Sequence, residues 1–130
     1  MKRRTYLQAT FAAVAGMSSV AAQAKKRPIE LHVDLSVSPA KEQEMLQNFR
    51  TVFRPAASKQ PGFIDVKMLK LTSAVQGSAP TGANYRFVLC FQSEEQRQKW
   101  VATATHQEVW PKIENTLKSK DYTVLLYEVS

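Results

Sequence analysis

Cysteine is nearly absent from this 130-residue chain, and histidine is almost as scarce. The single Cys90 excludes an internal disulfide framework and any multi-thiolate metal centre. Two histidines, His32 and His106, supply a protein-held metal site poorly, so none is expected. No glycine-rich phosphate loop and no Ser-His-Asp order occurs. A surplus of positive charge is missing from most of the chain as well. The formal net charge is +7, yet six cations fall within residues 1–27, leaving 12 basic against 11 acidic residues beyond them. The phosphate-neutralising patch that nucleic acid requires is therefore lacking. Long apolar runs are absent too. Residues 9–22 would form a helix about 21 Å long, short of the ~30 Å hydrocarbon core of a bilayer.

What is present is an ordinary globular composition, 44% hydrophobic and 22% charged, in a length that allows one domain. The first 24 residues read as an address. Lys2, Arg3 and Arg4 precede the small apolar stretch ATFAAVAGMSSVAA, and Ala22-Gln23-Ala24 is a small-x-small cleavage site. Arg3-Arg4-Thr5-Tyr6-Leu7 resembles the twin-arginine export motif, with Lys2 and Gln8 departing from its usual flanks. The expectation is a signal peptide over 1–24, a basic segment over 25–28 and a folded domain over 29–130. The mature chain would be periplasmic or secreted, with no stable membrane insertion after cleavage. Cys90 would then be a lone thiol in an oxidising compartment, where burial protects it.

The domain alternates between two periods. Ile29, Leu31, Val33, Leu35 and Val37 interleave with Glu30, His32, Asp34 and Ser36, which predicts a first strand with one face in a core. Ser38-Pro39 predicts a capped helix start. Met45, Leu46, Phe49, Val52 and Phe53 then recur at helical spacing, so a helix is expected over 39–54, ended or kinked by Pro55. Pro61-Gly62 breaks the chain before a second strand over 63–71. Residues 72–84, TSAVQGSAPTGAN, form a long loop, either flap or decoration. Residues 85–91, YRFVLCF, predict a third strand. Ser93 predicts the cap of a second helix carrying Trp100, with a further helical run over 106–118. Residues 121–129 predict the last strand.

That order, β-α-β-β-α-β, predicts an α+β ferredoxin-like fold: a four-stranded antiparallel sheet with both helices on one face. Strands three and four are apolar on both faces, through Val88 and Cys90 and through Val124 and Leu126. A bare apolar sheet face would be adhesive, so a second copy in a two-fold homodimer is expected to cover it.

The element order, with Pro61-Gly62-Phe63 opening strand two and Phe91-x-Ser93-x-Glu95, Trp100, His106 and Trp110 in sequence, resembles the antibiotic biosynthesis monooxygenase domain family. The resemblance spans about Ile29 to Val129 and implies a dimeric α/β barrel. That family includes cofactor-free oxygenases of aromatic polyketides and quinols, haem-degrading enzymes and members with no established reaction. The haem-degrading branch pairs a helix Trp with a His ten positions later and an Asn on the first strand. Trp100 matches, but Trp110 stands where the His should be, and His32-Val33-Asp34 contains no Asn. The axial imidazole is missing from its usual place, so haem is disfavoured and no cofactor is expected.

Cofactor-free oxygenation needs an enclosed apolar pocket, a group to ionise the substrate and a donor or cation to hold the anion. His106 and His32 are the candidate catalytic groups. Trp100, Trp110 and Tyr85 are candidate stacking surfaces for a small aromatic molecule, and Arg86 a candidate anion holder. Each also has a packing role open to it. His106 could cap helical carbonyls, the two Trp could fill core, and Arg86 could pair with Asp34 or Glu128. The leading expectation is a monooxygenase of a small aromatic or quinol-type substrate bound between sheet and helices. Its rival is a non-catalytic binding or stress-response module on the same fold.

Overall fold

The computed structural model of the chain describes residues 27–130. The export signal expected over 1–24 lies outside the described residues. Within them, four strands form one antiparallel sheet: β1 (Ile29–Leu35), β2 (Phe63–Lys70), β3 (Tyr85–Phe91) and β4 (Thr123–Glu128). Their order across the sheet is β2-β3-β1-β4. This is the ferredoxin-like α+β arrangement, with the two helical crossovers on one face.

Register explains the two faces. Ile29, Leu31, Val33 and Leu35 of β1 stand opposite Phe91, Leu89, Phe87 and Tyr85 of β3, so the long apolar side chains share the helix-covered face. Met45, Phe49, Phe53, Trp100, Val109 and Ile113 pack onto them and complete the core. Glu30, His32 and Asp34 fall opposite Cys90, Val88 and Arg86 on the other, open face.

The first crossover departs from the expected helix over 39–54. It runs from a 3₁₀ turn at Pro39–Lys41 through α1 (Glu42–Asn48), a π-helical turn at Phe49–Phe53, and α2 (Arg54–Ser58). Pro55 does not end it. Proline has no N–H and its ring collides with the carbonyl four residues back. The wider π turn, in which the Arg54 N–H reaches the Phe49 carbonyl, carries the helix past that obstacle. Ser38 precedes the 3₁₀ turn without a side-chain cap; its carbonyl accepts from the Lys41 N–H instead.

The second crossover is three short helices: α3 (Glu94–Val101), α4 (Ala104–Val109) and α5 (Pro111–Glu114). Ser93 caps α3 as expected, its hydroxyl accepting from the Gln96 N–H at 3.2 Å. The continuous run over 106–118 does not form. Thr103 starts a new helix and Pro111, lacking an N–H, starts another. β1 and β4 are also shorter than expected, Val37 making only an isolated bridge to Leu117.

The expectation of a bare second face on β3 is corrected. Val88 and Cys90 are buried within the protomer, because β3 is an inner strand and His32, Lys67, Glu30 and Asp65 flank them in register. Exposed apolar side chains lie on both edge strands, Ile64 and Leu69 on β2 and a continuous run on β4. Val124, Leu125, Leu126 and Tyr127 are 41–48% exposed, spread over both its faces.

Candidate functional site

A half-open cavity of ≈130 Å³ lies between sheet and helices. Leu31, Val33, Phe87, Leu89 and Val124 form its sheet floor; Phe53, Val101, His106, Trp110 and Tyr122 form its roof and rim. The local causes can be traced. The π turn presents Phe53 at this point, where it meets Phe87 at 5.2 Å, Trp110 at 5.9 Å and His106 at 6.5 Å between ring centroids. The helix break after Val101 sets His106. The Thr103 hydroxyl accepts from the His106 N–H at 3.1 Å and donates to the Trp100 carbonyl at 2.7 Å. That cap fixes the first turn of α4, and His106 with it.

His106 therefore stands in an aromatic cage. Its ring is edge-on to Trp100 at 5.1 Å and nearly parallel to Trp110 at 6.5 Å. Its Nδ1 is buried without a hydrogen-bond partner, and the ring lines the cavity. Burial, and then the positive charge of Arg97, push its pKa below the ordinary 6.5. Desolvation disfavours the imidazolium, so the ring is neutral at neutral pH.

The other polar groups at the cavity are already engaged. Trp110 Nε1 donates to the Tyr122 hydroxyl at 3.1 Å, and that hydroxyl donates to Glu114 Oε2 at 2.7 Å. Burial, and then Glu114, raise the Tyr122 pKa and keep the phenol protonated. Tyr122, Phe53 and Phe87 were not singled out from the sequence as site residues. Their signal is tertiary: Tyr122 sits just ahead of β4 and meets Trp110 only through the fold.

The remaining candidates lie elsewhere. Trp100 is 1% exposed and packs in the core behind His106 rather than on the cavity wall. His32 is on the open face, with Nε2 3.0 Å from Glu30 Oε1 and its ring 4.8 Å from Tyr127. The contact with His32 holds the Glu30 carboxyl below its usual range. Arg86 makes a two-pronged pair with Asp34, at 2.8 Å and 3.2 Å, on that same face. Tyr85 points into the core side and donates to Glu42 at 2.5 Å; burial, and then that carboxylate, push its pKa to about 12. Tyr85 and Arg86 border an open depression of ≈310 Å³ beside loop 72–84. A second depression of ≈340 Å³ adjoins the same loop. The fold thus gathers His106 and Trp110 at one cavity; strand parity sends His32 and Arg86 to the opposite side of the sheet, while Tyr85, on the helix-covered face, stands at the end of β3 and is tied to Glu42.

Among the described residues, no cluster of three or more His, Cys, Asp or Glu could hold a metal ion, and no helix is long and apolar enough to cross a membrane.

No family model matches the chain, and no curated protein matches it by sequence. Solved structures do match by fold. A Caulobacter crescentus protein described by the antibiotic biosynthesis monooxygenase name superposes with a TM-score of 0.64 at 14% identity, covering 82% of this chain and 92% of that one. SnoaB, a cofactor-independent oxygenase from Streptomyces nogalater in the form of a point mutant, gives 0.61 at 12% identity, covering 79% and 93%. The hydroxynitrile lyase of Passiflora edulis gives 0.65 at 10% identity, covering 81% and 95%. The chain has the fold of the antibiotic biosynthesis monooxygenase domain structures. The lyase shows that this fold also carries quite different chemistry, so function rests on the site.

Proposed function

We propose that the chain is a cofactor-independent monooxygenase of a small aromatic or quinol-type molecule, bound in the cavity beneath His106. The observation that carries this reading is a neutral imidazole, free of hydrogen-bond partners among the described residues, on the wall of an otherwise apolar cavity. SnoaB, described as a cofactor-independent oxygenase, supports it by shared fold.

The chemistry needs no external reductant. His106 takes the proton of a ring hydroxyl, and the resulting phenolate is rich enough in electrons to react with dioxygen. A carbon–oxygen bond forms at a ring carbon that bears hydrogen. That carbon's proton leaves and the oxygen–oxygen bond breaks. One oxygen atom remains as a quinone carbonyl and the other departs as water. The substrate supplies all the electrons. The apolar lining lowers the local dielectric beside the imidazole, which strengthens its contact with the hydroxyl. Haem is disfavoured because Trp110 stands where the axial His would be.

Oxygen uptake with simple phenols and quinols tests the reading. His106→Gln should lower turnover about 10²–10⁴-fold, the usual contribution of a positioned acid–base group. Unchanged turnover in a variant of equal stability would remove His106 from the chemistry.

A specific observation favours a second reading, a non-catalytic binding module. His32 and Arg86 are not at the cavity, so among the described residues one uncommitted titratable group serves it and no cation stands there to hold an anion. Saturable binding without oxygen uptake would select this reading.

The proposal includes export through the signal over 1–24 and assembly as a homodimer. The basis for assembly is β4, an edge strand with exposed apolar side chains on both faces, a surface that unprotected chains rarely leave bare. Leu125→Lys with Tyr127→Lys should yield monomers by light scattering. A wild-type monomer would overturn the assembly.

A further inference from the structure

We infer that an open groove between the first crossover and the edge strand β2 binds an amphipathic organic anion, a carboxylate carried on a short aliphatic body. The groove is separate from the His106 cavity, and the inference does not rest on the oxygenase reading.

Charge defines the head group. The groove, ≈250 Å³, is lined by three cations, Arg50, Arg54 and Lys67, and by no acid. Other cations of the sheet and crossovers are neutralised: Lys70 pairs with Glu42, Arg86 with Asp34 and Arg97 with Glu94. Among the described residues, no carboxylate forms an ion pair with Arg50, Arg54 or Lys67. The acids nearest to them are engaged. Glu42 accepts from Tyr85 and Lys70, and Glu30, which feels the charge of Lys67, is in contact with His32. Like charges four residues apart on a helix repel, so Arg50 and Arg54 destabilise the crossover unless an anion stands between them.

Arg54 is also held in place. Its guanidinium donates to the Val66 carbonyl of β2 at 3.1 Å, and its central carbon lies 5.7 Å from the centre of the Phe49 ring. A guanidinium carries five N–H donors in a rigid fork, so four remain after that bond. A fork anchored in this way meets a carboxylate with less loss of freedom than a mobile lysine would.

The rest of the lining defines the body. Leu46, Phe49, Met68 and Leu69 lie beside the cations, and Leu69 is 45% exposed. An aliphatic body laid over Leu46, Met68 and Leu69 takes that surface out of water. A bare inorganic anion leaves it wet, and a neutral alcohol leaves the arginines without a counter-charge. The occupant that satisfies the whole groove carries both parts.

The test is isothermal titration calorimetry of the full chain with octanoate, set against octan-1-ol, octylammonium, acetate and a hexaglutamate peptide. Octanoate should bind saturably and at least about tenfold more tightly than each of the others. Its affinity should fall several-fold from low to high salt, because exposed charges are screened. Arg50→Gln should weaken octanoate by about tenfold or more. Arg50 makes no side-chain hydrogen bond among the described residues, so this variant should unfold in urea with the wild type, whereas Arg54→Gln also loses the bond to Val66. In a chain labelled at the methionine methyl groups, octanoate should shift the Met68 signal, assigned with Met68→Leu. If octan-1-ol binds as tightly as octanoate, the groove is only an apolar surface; if acetate does, it is only a cationic patch; if hexaglutamate does, it is a docking surface for an acidic peptide. Each of these results overturns the inference. If Arg50→Gln leaves binding unaltered, or the Met68 signal does not move, octanoate sits elsewhere and the site itself is overturned.

Discussion

Replacing Gly62 by alanine should destabilise the domain by two separable routes. Gly62 has a φ of +84°, a left-handed conformation that an L side chain adopts at a cost of roughly 1–2 kcal/mol. A Cβ at that position would also collide with Oε1 and Cδ of Gln96 and lie 2.7 Å from its Nε2. The Gln96 side chain would have to swing away, breaking the bond that Oε1 accepts from the Ser93 hydroxyl at 3.1 Å. Loss of one such bond is worth about 0.5–1.5 kcal/mol. The sum is roughly 2–3 kcal/mol, or a fall in Tm of about 4–8 °C for each of those kcal/mol in a domain of this size. A double-mutant cycle with Gln96→Ala separates the routes. Gly62→Ala in the Gln96→Ala background should show the backbone cost alone, with a coupling of about 1 kcal/mol between the two positions. Urea denaturation followed by far-UV circular dichroism reads each corner. If Gly62→Ala costs less than about 0.5 kcal/mol, or the cycle shows no coupling, the account of the Pro61-Gly62 turn against the start of α3 is wrong.

Three further outcomes are expected. His106 titrates below its ordinary 6.5 in the folded chain, so below that pH the unfolded chain binds more protons. Stability should therefore decline as pH falls through 6.5 toward the folded pKa, and His106→Phe should flatten that slope in urea titrations at pH 5 to 8; an unchanged slope would refute the assignment to His106. Thr103→Ala removes the cap of α4 and should cost about 0.5–2 kcal/mol, with the His106 ring signals shifted in proton NMR; an unshifted ring would mean the cap does not position it. Burial, and then Glu30, push the Cys90 thiol up to about 11, so alkylation by iodoacetamide at pH 8 should be far slower than that of glutathione. Comparable rates would show that the thiol is neither buried nor beside that carboxylate.

Much of the fold is legible because its determinants are local. The alternation of Ile29 to Leu35, the apolar run from Tyr85 to Phe91, the break at Pro61-Gly62 and the Ser93 cap each declare an element within a few residues. The failures share a cause as well. Pro55 halts an isolated α-helix, but packing of Phe49, Phe53 and Ala57 against the sheet keeps the crossover helical by widening one turn. Val88 and Cys90 look unprotected until strand order makes β3 an inner strand.

The site divides along the same line. Residue types and periodicity alone determined the ferredoxin-like order, the scarcity of metal ligands, and the small set of side chains, His32, His106, Arg86 and the aromatics, from which any chemistry must be drawn. Tertiary structure alone decided which of them meet. The parity of β1 sent His32 to the open face, a carboxylate on the neighbouring strand claimed Arg86, and burial in the core took Trp100. A cap at Thr103 and a π turn at Phe53, two small features far apart in the chain, brought His106 over an apolar floor. Contact between distant segments depends on register and helix phase, and those are set by the packing of the whole core.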